Sequence, residues 1–213
     1  MANFRARIWR IVSLLRNFLC LVSALGIAAE PLPAGWQQRS FVGHTQYRLE
    51  QQQGREVILA HSQGTASMLY KEQSIDLRST PVVRWRWKVA GVYGRFNERE
   101  KSGDDYPARF YVLCKTGPLP WQTLALNYVW SSNGQVGEQW PNAYTSKTMM
   151  IVLRAGAAQV GQWQWEQRNV LADFKQAFGV DVSHLAGYAI MVDGDNTGST
   201  GTAWFGDISF SAN

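Results

Sequence analysis

Four aspartates mark where this chain could do chemistry. Asp104 and Asp105 stand together in "KSGDDYPARFYVLC", at the mouth of an alternating apolar run that also holds Arg109. Asp193 and Asp195 stand in "MVDGDNTGSTG", directly after a second apolar run. The start of one strand and the end of another can meet across neighbouring strands, which would gather several carboxylates in one place. Such a cluster must bind a cation, bind arginine or hold protons at unusually high pH, because like charges at close range disfavour ionisation. Three chemistries follow. Converging oxygens would make a metal site. Two carboxyls at a fixed separation across a cleft would make a glycosidase-type acid/base pair. Arginine forks would make a structural network, since a guanidinium matches a carboxylate with two hydrogen bonds. Arg84, Arg86, Arg109 and Arg168 are the available partners. The favoured reading pairs Asp104 and Asp105 with arginines of neighbouring strands, fixing the edge of a cleft.

The second acidic segment has a reading of its own. Asp193, Asp195, Asn196, Thr197 and Gly198 follow the alternating-oxygen pattern of the first half of a calcium loop. The second half does not match: Trp204 stands where a bidentate Glu belongs, and the preceding residues alternate as a strand does. A polar turn rich in Gly and Asn accounts for the same residues and is favoured. No cofactor is implied, with calcium kept as the weaker alternative. "WEQRNVLADF" adds Arg168 and Asp173 at a strand-to-helix junction, where they brace the helix or line the same cleft.

Ten Trp, eight Tyr and nine Phe supply flat, amphipathic surface. Trp85 and Trp87 share a face with Val83 and Val89, which reads as core. Trp163 and Trp165 read as core or rim. Trp121, Trp130 and Trp140 flank turns, and "NYVWSSNGQVGEQWPNAYTSK" gathers Tyr128, Trp130, Trp140 and Tyr144 around a polar loop. Aromatic rings beside Asn and Gln can stack on sugar rings and bond hydroxyls, or they can clamp a long loop. Several enzyme classes lose support. His44, His61 and His184 are isolated, and no HExxH spacing, GxSxG elbow or phosphate-cradling Gly loop occurs.

These residues must be positioned by strands. From Glu30 onward the hydropathy has period two, broken by Gly, Asn, Ser and Pro, and about ten strands follow one another through short turns. In "PVVRWRWKV", Arg84, Arg86 and Lys88 fall opposite the Trp face. "NVLADFKQAFG" alone has helical spacing, with Val170, Phe174 and Ala177 on one side and Gly179 as the stop. One helix among ten strands excludes a doubly wound α/β fold and predicts an all-β sandwich or barrel, one domain over residues 30–213.

The N-terminal residues 1–29 carry Arg5, Arg7, Arg10 and Arg16, then an apolar run and small residues, the pattern of a secretory signal. The apolar run is short for a membrane span. Of 21 basic residues these four leave 17 against 16 acidic ones, so the formal +5 falls to +1 in the remainder. A clustered basic face for nucleic acid is therefore not expected. Cys114, left without a second cysteine, reads as a buried thiol in a strand.

Taken in order, "ILAHSQGTASMLYK", "VVRWRWKV", "KSGDDYPARFYVL", "LNYVW", "RNVLADFKQAFG" and "YAIMVDGDNTGSTGTAWFGDISF" resemble a bacterial exported family of unknown function, domain-of-unknown-function family three-zero-four-seven. The resemblance implies a jelly-roll β-sandwich similar to galactose-binding and carbohydrate-binding modules, with no established activity. The leading expectation is a non-catalytic periplasmic or secreted module for a saccharide or other polar envelope molecule. Arg86, Asp104, Asp105, Arg109, Tyr128, Trp130, Arg168, Asp193 and Asp195 would line or brace its cleft. A carboxylate-dependent glycoside hydrolase or lyase, and a structural partner in an envelope complex, are the alternatives.

Overall fold

The computed structural model describes residues 32–117 and 122–213. The signal segment, Cys20 and Trp121 lie outside them. In chain order the elements are β1 (Gln37–Val42), β2 (Gln46–Gln52), β3 (Arg55–Gln63), β4 (Ala66–Asp76), β5 (Val82–Val89), β6 (Ala108–Lys115), β7 (Thr123–Ser131), β8 (Gln139–Asn142), β9 (Thr145–Ala155), β10 (Gln164–Asn169), α1 (Val170–Phe178), β11 (His184–Asp193) and β12 (Thr200–Ser211). A seven-stranded sheet runs β1-β4-β11-β6-β7-β9-β8, and a five-stranded sheet runs β10-β5-β12-β3-β2. Pairing is antiparallel except between β7 and β9. The two sheets stack as a jelly-roll sandwich.

Two strands add to the expected ten. β1 is exposed almost throughout and β8 has four residues including Pro141, so neither shows the half-buried alternation that marks a strand in sequence. Both sit at edges of the larger sheet. The helix is α1 as expected. Asn169 is its N-cap, accepting the Ala172 N–H at 3.1 Å, and Gly179 at φ 70° closes it by donating to the Lys175 carbonyl.

Alternation decides what faces what. On β5, Val83, Trp85, Trp87 and Val89 are fully buried between the sheets. Trp85 stacks on Phe110 of β6 with centroids 4.4 Å apart and packs against Tyr128 of β7 at 5.4 Å. Such rings dominate core energetics because each removes a large apolar area from water. Burying Phe110 and Val112 throws Arg109 and Tyr111 onto the outer face of the seven-stranded sheet. The same rule on β11 buries Ile190 and Val192 and turns Met191 and Asp193 outward. On β4 it buries Leu69 and turns Met68 outward. Register then sets Met191 beside Arg109. A smaller cluster of Tyr106, Val129, Trp140, Met150 and Val152 packs on that outer face and supports one end of it. Cys114 is buried, and burial pushes its thiol above the usual range. No helix among the described residues is long and apolar enough to cross a membrane.

Candidate functional site

A cavity of about 510 Å³ lies on the outer face of the seven-stranded sheet. Its floor comes from Arg109 and Tyr111 of β6 and Met191 of β11. Its acidic end holds Asp104, Asp193 and Asp195, and its walls carry Phe41 of β1 and Tyr144 of the β8–β9 turn. Phe41 and Tyr144 are 53% and 55% exposed, so two rings stand open to solvent above a buried polar base. A second cavity of about 420 Å³, lined by Arg39, Tyr70, Glu72, Leu113 and Lys115, continues along the same face through the shared Met68.

Arg109 organises the base. Its Nε donates to Asp193 Oδ1 at 2.8 Å, and Nη2 donates to Asp193 Oδ2 and to the Asp104 carbonyl. Nη1 donates to the Tyr111 hydroxyl at 3.3 Å, and the guanidinium lies 4.3 Å over the Tyr106 ring. Asp193 also accepts the Tyr106 N–H at 3.1 Å. Burial raises its carboxyl to about 7, with Arg109 pulling back down and Asp105 and Asp104 pushing up. Desolvation likewise raises Asp104, against the lowering effects of Arg109 and the Asn142 hydrogen bond.

Asp104 is 4% exposed. Its Oδ2 accepts from Asn142 Nδ2 at 2.8 Å. Its Oδ1 stands 3.7 Å from Arg109 Nη1 and has no hydrogen-bond partner. Asp105 has a different task. It accepts the Thr197 N–H and hydroxyl, each at 2.7 Å, and Asn196 Nδ2 at 3.1 Å. So Asp104 meets an arginine, but one from its own segment, and Asp105 meets none: it latches the 194–199 loop. The expectation that both meet arginines of neighbouring strands is corrected to that extent. Donors within the loop itself satisfy Asp105, which is the chemistry of a closed polar turn. Tyr144 donates to Asn196 Oδ1 at 2.6 Å, joining the loop to the aromatic wall. Carboxylate oxygens of Asp105, Asp193 and Asp195 come within 4.8 Å of one another.

Gly194 makes the tight entry to that loop possible. A Cβ there would stand 2.1 Å from the Ser199 carbonyl oxygen. Gly194→Ala is expected to destabilise the fold by about 1–3 kcal/mol, the usual cost of forcing atoms into filled space. Urea unfolding checks it, and an unchanged midpoint would mean that the loop yields freely.

Asp104, Arg109, Asp193 and Asp195 thus meet at one cavity, with Asp105 behind them. The other four expected site residues are elsewhere. Tyr128 and Trp130 are fully buried between the sheets. The Tyr128 hydroxyl donates to Asp173 Oδ2 at 2.7 Å, and Arg168 pairs with the same carboxylate at 2.5 Å, so Arg168 braces α1. Arg86 lies on the outer face of the five-stranded sheet, 2.5 Å from Asp207 and 4.2 Å over the Trp163 ring. These placements correct the reading of a single cleft shared by all nine. Residues without an expected role enter instead. Tyr111 was within reach of reasoning, since it follows Arg109 by two in one strand and must share its face. Phe41 and Asn142 come from the edge strands β1 and β8, where periodicity carries no signal, and Asn196, singled out above only in the calcium-loop pattern, comes from the loop after β11. Glu98 is a further buried carboxylate, raised by burial, that accepts the Ser132 N–H at 2.7 Å and the Ser131 hydroxyl.

The model of a family described as "Protein of unknown function (DUF3047)" matches residues 34–209. A search of curated proteins returns no match. Among solved structures the chain is similar to the cellulose-induced protein Cip1, at 12% identity and TM-score 0.46, covering 84% of this chain and 91% of that one. It is similar to a family 12 xyloglucanase from Bacillus licheniformis, at 12% identity and TM-score 0.40, covering 84% and 99%. It is similar also to TmCBM61 in complex with β-1,4-galactotriose, at 10% identity and TM-score 0.38, covering 83% and 88%. Likeness at this level bears on no individual residue.

Proposed function

This chain belongs to DUF3047, a family of unknown function, and from that premise we propose that it is an exported, non-catalytic saccharide-binding module. The observation that carries the reading is Asp104 Oδ1, a buried acceptor without a hydrogen-bond partner on a cavity walled by two exposed rings. A buried acceptor left unmade costs free energy that a hydroxyl donor would restore. Sugar rings offer hydroxyls at their edges and C–H faces for aromatic contact, and the cavity has the mostly apolar wall with few fixed polar groups common to small-molecule sites. The second cavity, which shares Met68, extends the available space along the same face. Export rests on the basic, apolar and small-residue order of residues 1–29.

The test is isothermal titration of the chain lacking residues 1–29 with neutral gluco-, galacto- and xylo-oligosaccharides. Tyr144→Ala is expected to weaken binding of the best ligand by about tenfold, the scale of one lost aromatic contact. Its melting temperature should stay close to that of the parent, since the ring is largely exposed. No heat with any saccharide would sink the proposal. The convergence of Asp105, Asp193 and Asp195 oxygens within 4.8 Å favours one second reading, a carboxylate-dependent hydrolase or lyase. Release of shortened or unsaturated sugars from the same panel, abolished in Asp193→Asn, would replace binding by that reading.

A further inference from the structure

The acidic end of the cavity is out of charge balance. Asp104, Asp105 and Asp193 are each at least 95% buried, Asp195 stands beside them, and Arg109 is the guanidinium set among the four. Most acceptor capacity there is already spent. Asp105 is filled by Asn196 and Thr197, and Asp193 by Arg109 and the Tyr106 N–H. What is left lines the cavity: Asp104, whose buried Oδ1 has no hydrogen-bond partner, and Asp195, which stands against Asp105 and accepts a long bond of 3.3 Å from Asn196 Nδ2. Desolvation raises both carboxyls, with Asp105 adding to the rise and Arg109 pulling each part of the way back down. The wall above them already takes an ammonium: Lys101 Nζ lies 5.1 Å from the Tyr144 ring centroid. Aromatic faces attract cations through the ring quadrupole.

We propose that this cavity selects saccharides carrying a free amine, with the ammonium held by Asp104 and Asp195 between Phe41 and Tyr144. The inference rests on the saccharide-binding reading and names the sugar class. An ammonium has three donors and one charge, so it meets both unspent carboxylates, whereas a sugar hydroxyl brings a single donor and no charge. A metal ion at Asp105, Asp193 and Asp195 would instead have to share oxygens that loop donors and Arg109 already occupy.

The test titrates the chain with the β-1,4-linked glucosamine tetramer and with the β-1,4-linked glucose tetramer, which differ at C2 alone, and with calcium chloride as a third probe. The amine form is expected to bind about tenfold tighter, the scale of one charge-assisted pair. Asp104→Asn should bring the ratio of the two affinities close to one. Should that variant not fold, Asp195→Asn at the rim reads the same ratio. Equal affinity of the two tetramers for the parent chain would overturn amine selection and leave saccharide binding standing. Binding of neither tetramer would overturn the inference, and silence across the wider neutral panel would overturn the parent reading too. Calcium binding that abolishes the amine preference would assign the charge deficit to a metal and overturn the inference.

Discussion

Arg109→Met is expected to cost about 3–5 kcal/mol of folding stability near neutral pH, the scale measured when one partner of a buried ion pair is removed. Methionine keeps the length and the apolar stem and deletes the fork. Asp193 would lose its bidentate partner while fully buried, and the Asp104 carbonyl would lose the Nη2 donor. The remaining carboxylates would then repel without a countercharge at their centre. The loss has to come from the stranded acids rather than from packing, and a cycle separates the two. Arg109→Met combined with Asp193→Leu should recover part of the stability, because replacing both members by apolar residues of similar size is often neutral or favourable. Urea unfolding of the parent, the two single variants and the double variant measures this. A loss below about 1 kcal/mol in Arg109→Met would place the pair with exposed bridges and remove it as the organiser of the site.

Legibility of the site followed burial. β5 sets Val83, Trp85, Trp87 and Val89 against the other sheet, so the alternation in this strand assigned their side correctly. The proximity of Asp104 and Asp193 was legible because both sit where apolar runs begin or end, and neighbouring strands bring such ends together. Tyr128 and Trp130 were misplaced for a physical reason. β7 is central and covered on both sides, by the main core within and by Val129, Met150 and Trp140 without. A strand buried on both faces shows no alternation, so sequence cannot say which face holds a cleft. Arg86 was misplaced because alternation gives a side but not a sheet: it does face away from the core, on the other half of the sandwich. Arg168 illustrates a third case, where bracing a helix and lining a cleft call for the same Arg and Asp, and Tyr128 inside the core decides for bracing. Phe41 and Asn142 lie on edge strands that lack alternation and Asn196 on a loop, so no periodicity places them at the cavity.

Stability should rise as the medium turns acid, the reverse of the usual behaviour of a protein with paired aspartates. Asp193 carries the largest part. Burial lifts its carboxyl from 3.8 to about 7 despite Arg109. Below about pH 4 the carboxyl is protonated in both folded and unfolded chains, and the favourable contribution is fully present. Between about pH 4 and 7 the folded chain holds a proton that the unfolded chain has lost, so unfolding releases it and each step up in pH favours unfolding. Above about pH 7 both states are ionised and the contribution is gone. The gap corresponds to roughly 4 kcal/mol across the window. Asp104, Asp195 and Glu98 are raised by burial as well and act with the same sign. Glu50 and Asp76 are lowered, with hydrogen bonds from arginine outweighing desolvation, and their contribution is lost as pH falls from the ordinary carboxylate range downward, at and below the acid edge of this window. The midpoint of urea unfolding is therefore expected to be higher at pH 5 than at pH 7.5. Asp193→Asn should flatten that slope whatever it costs in absolute stability, because an amide neither binds nor releases the proton. A parent chain more stable at pH 7.5, with a slope untouched in Asp193→Asn, would mean that Arg109 keeps Asp193 ionised throughout. The surplus negative charge would then rest on Asp104 and Asp195 at the cavity, where a cationic ligand is the group able to offset it.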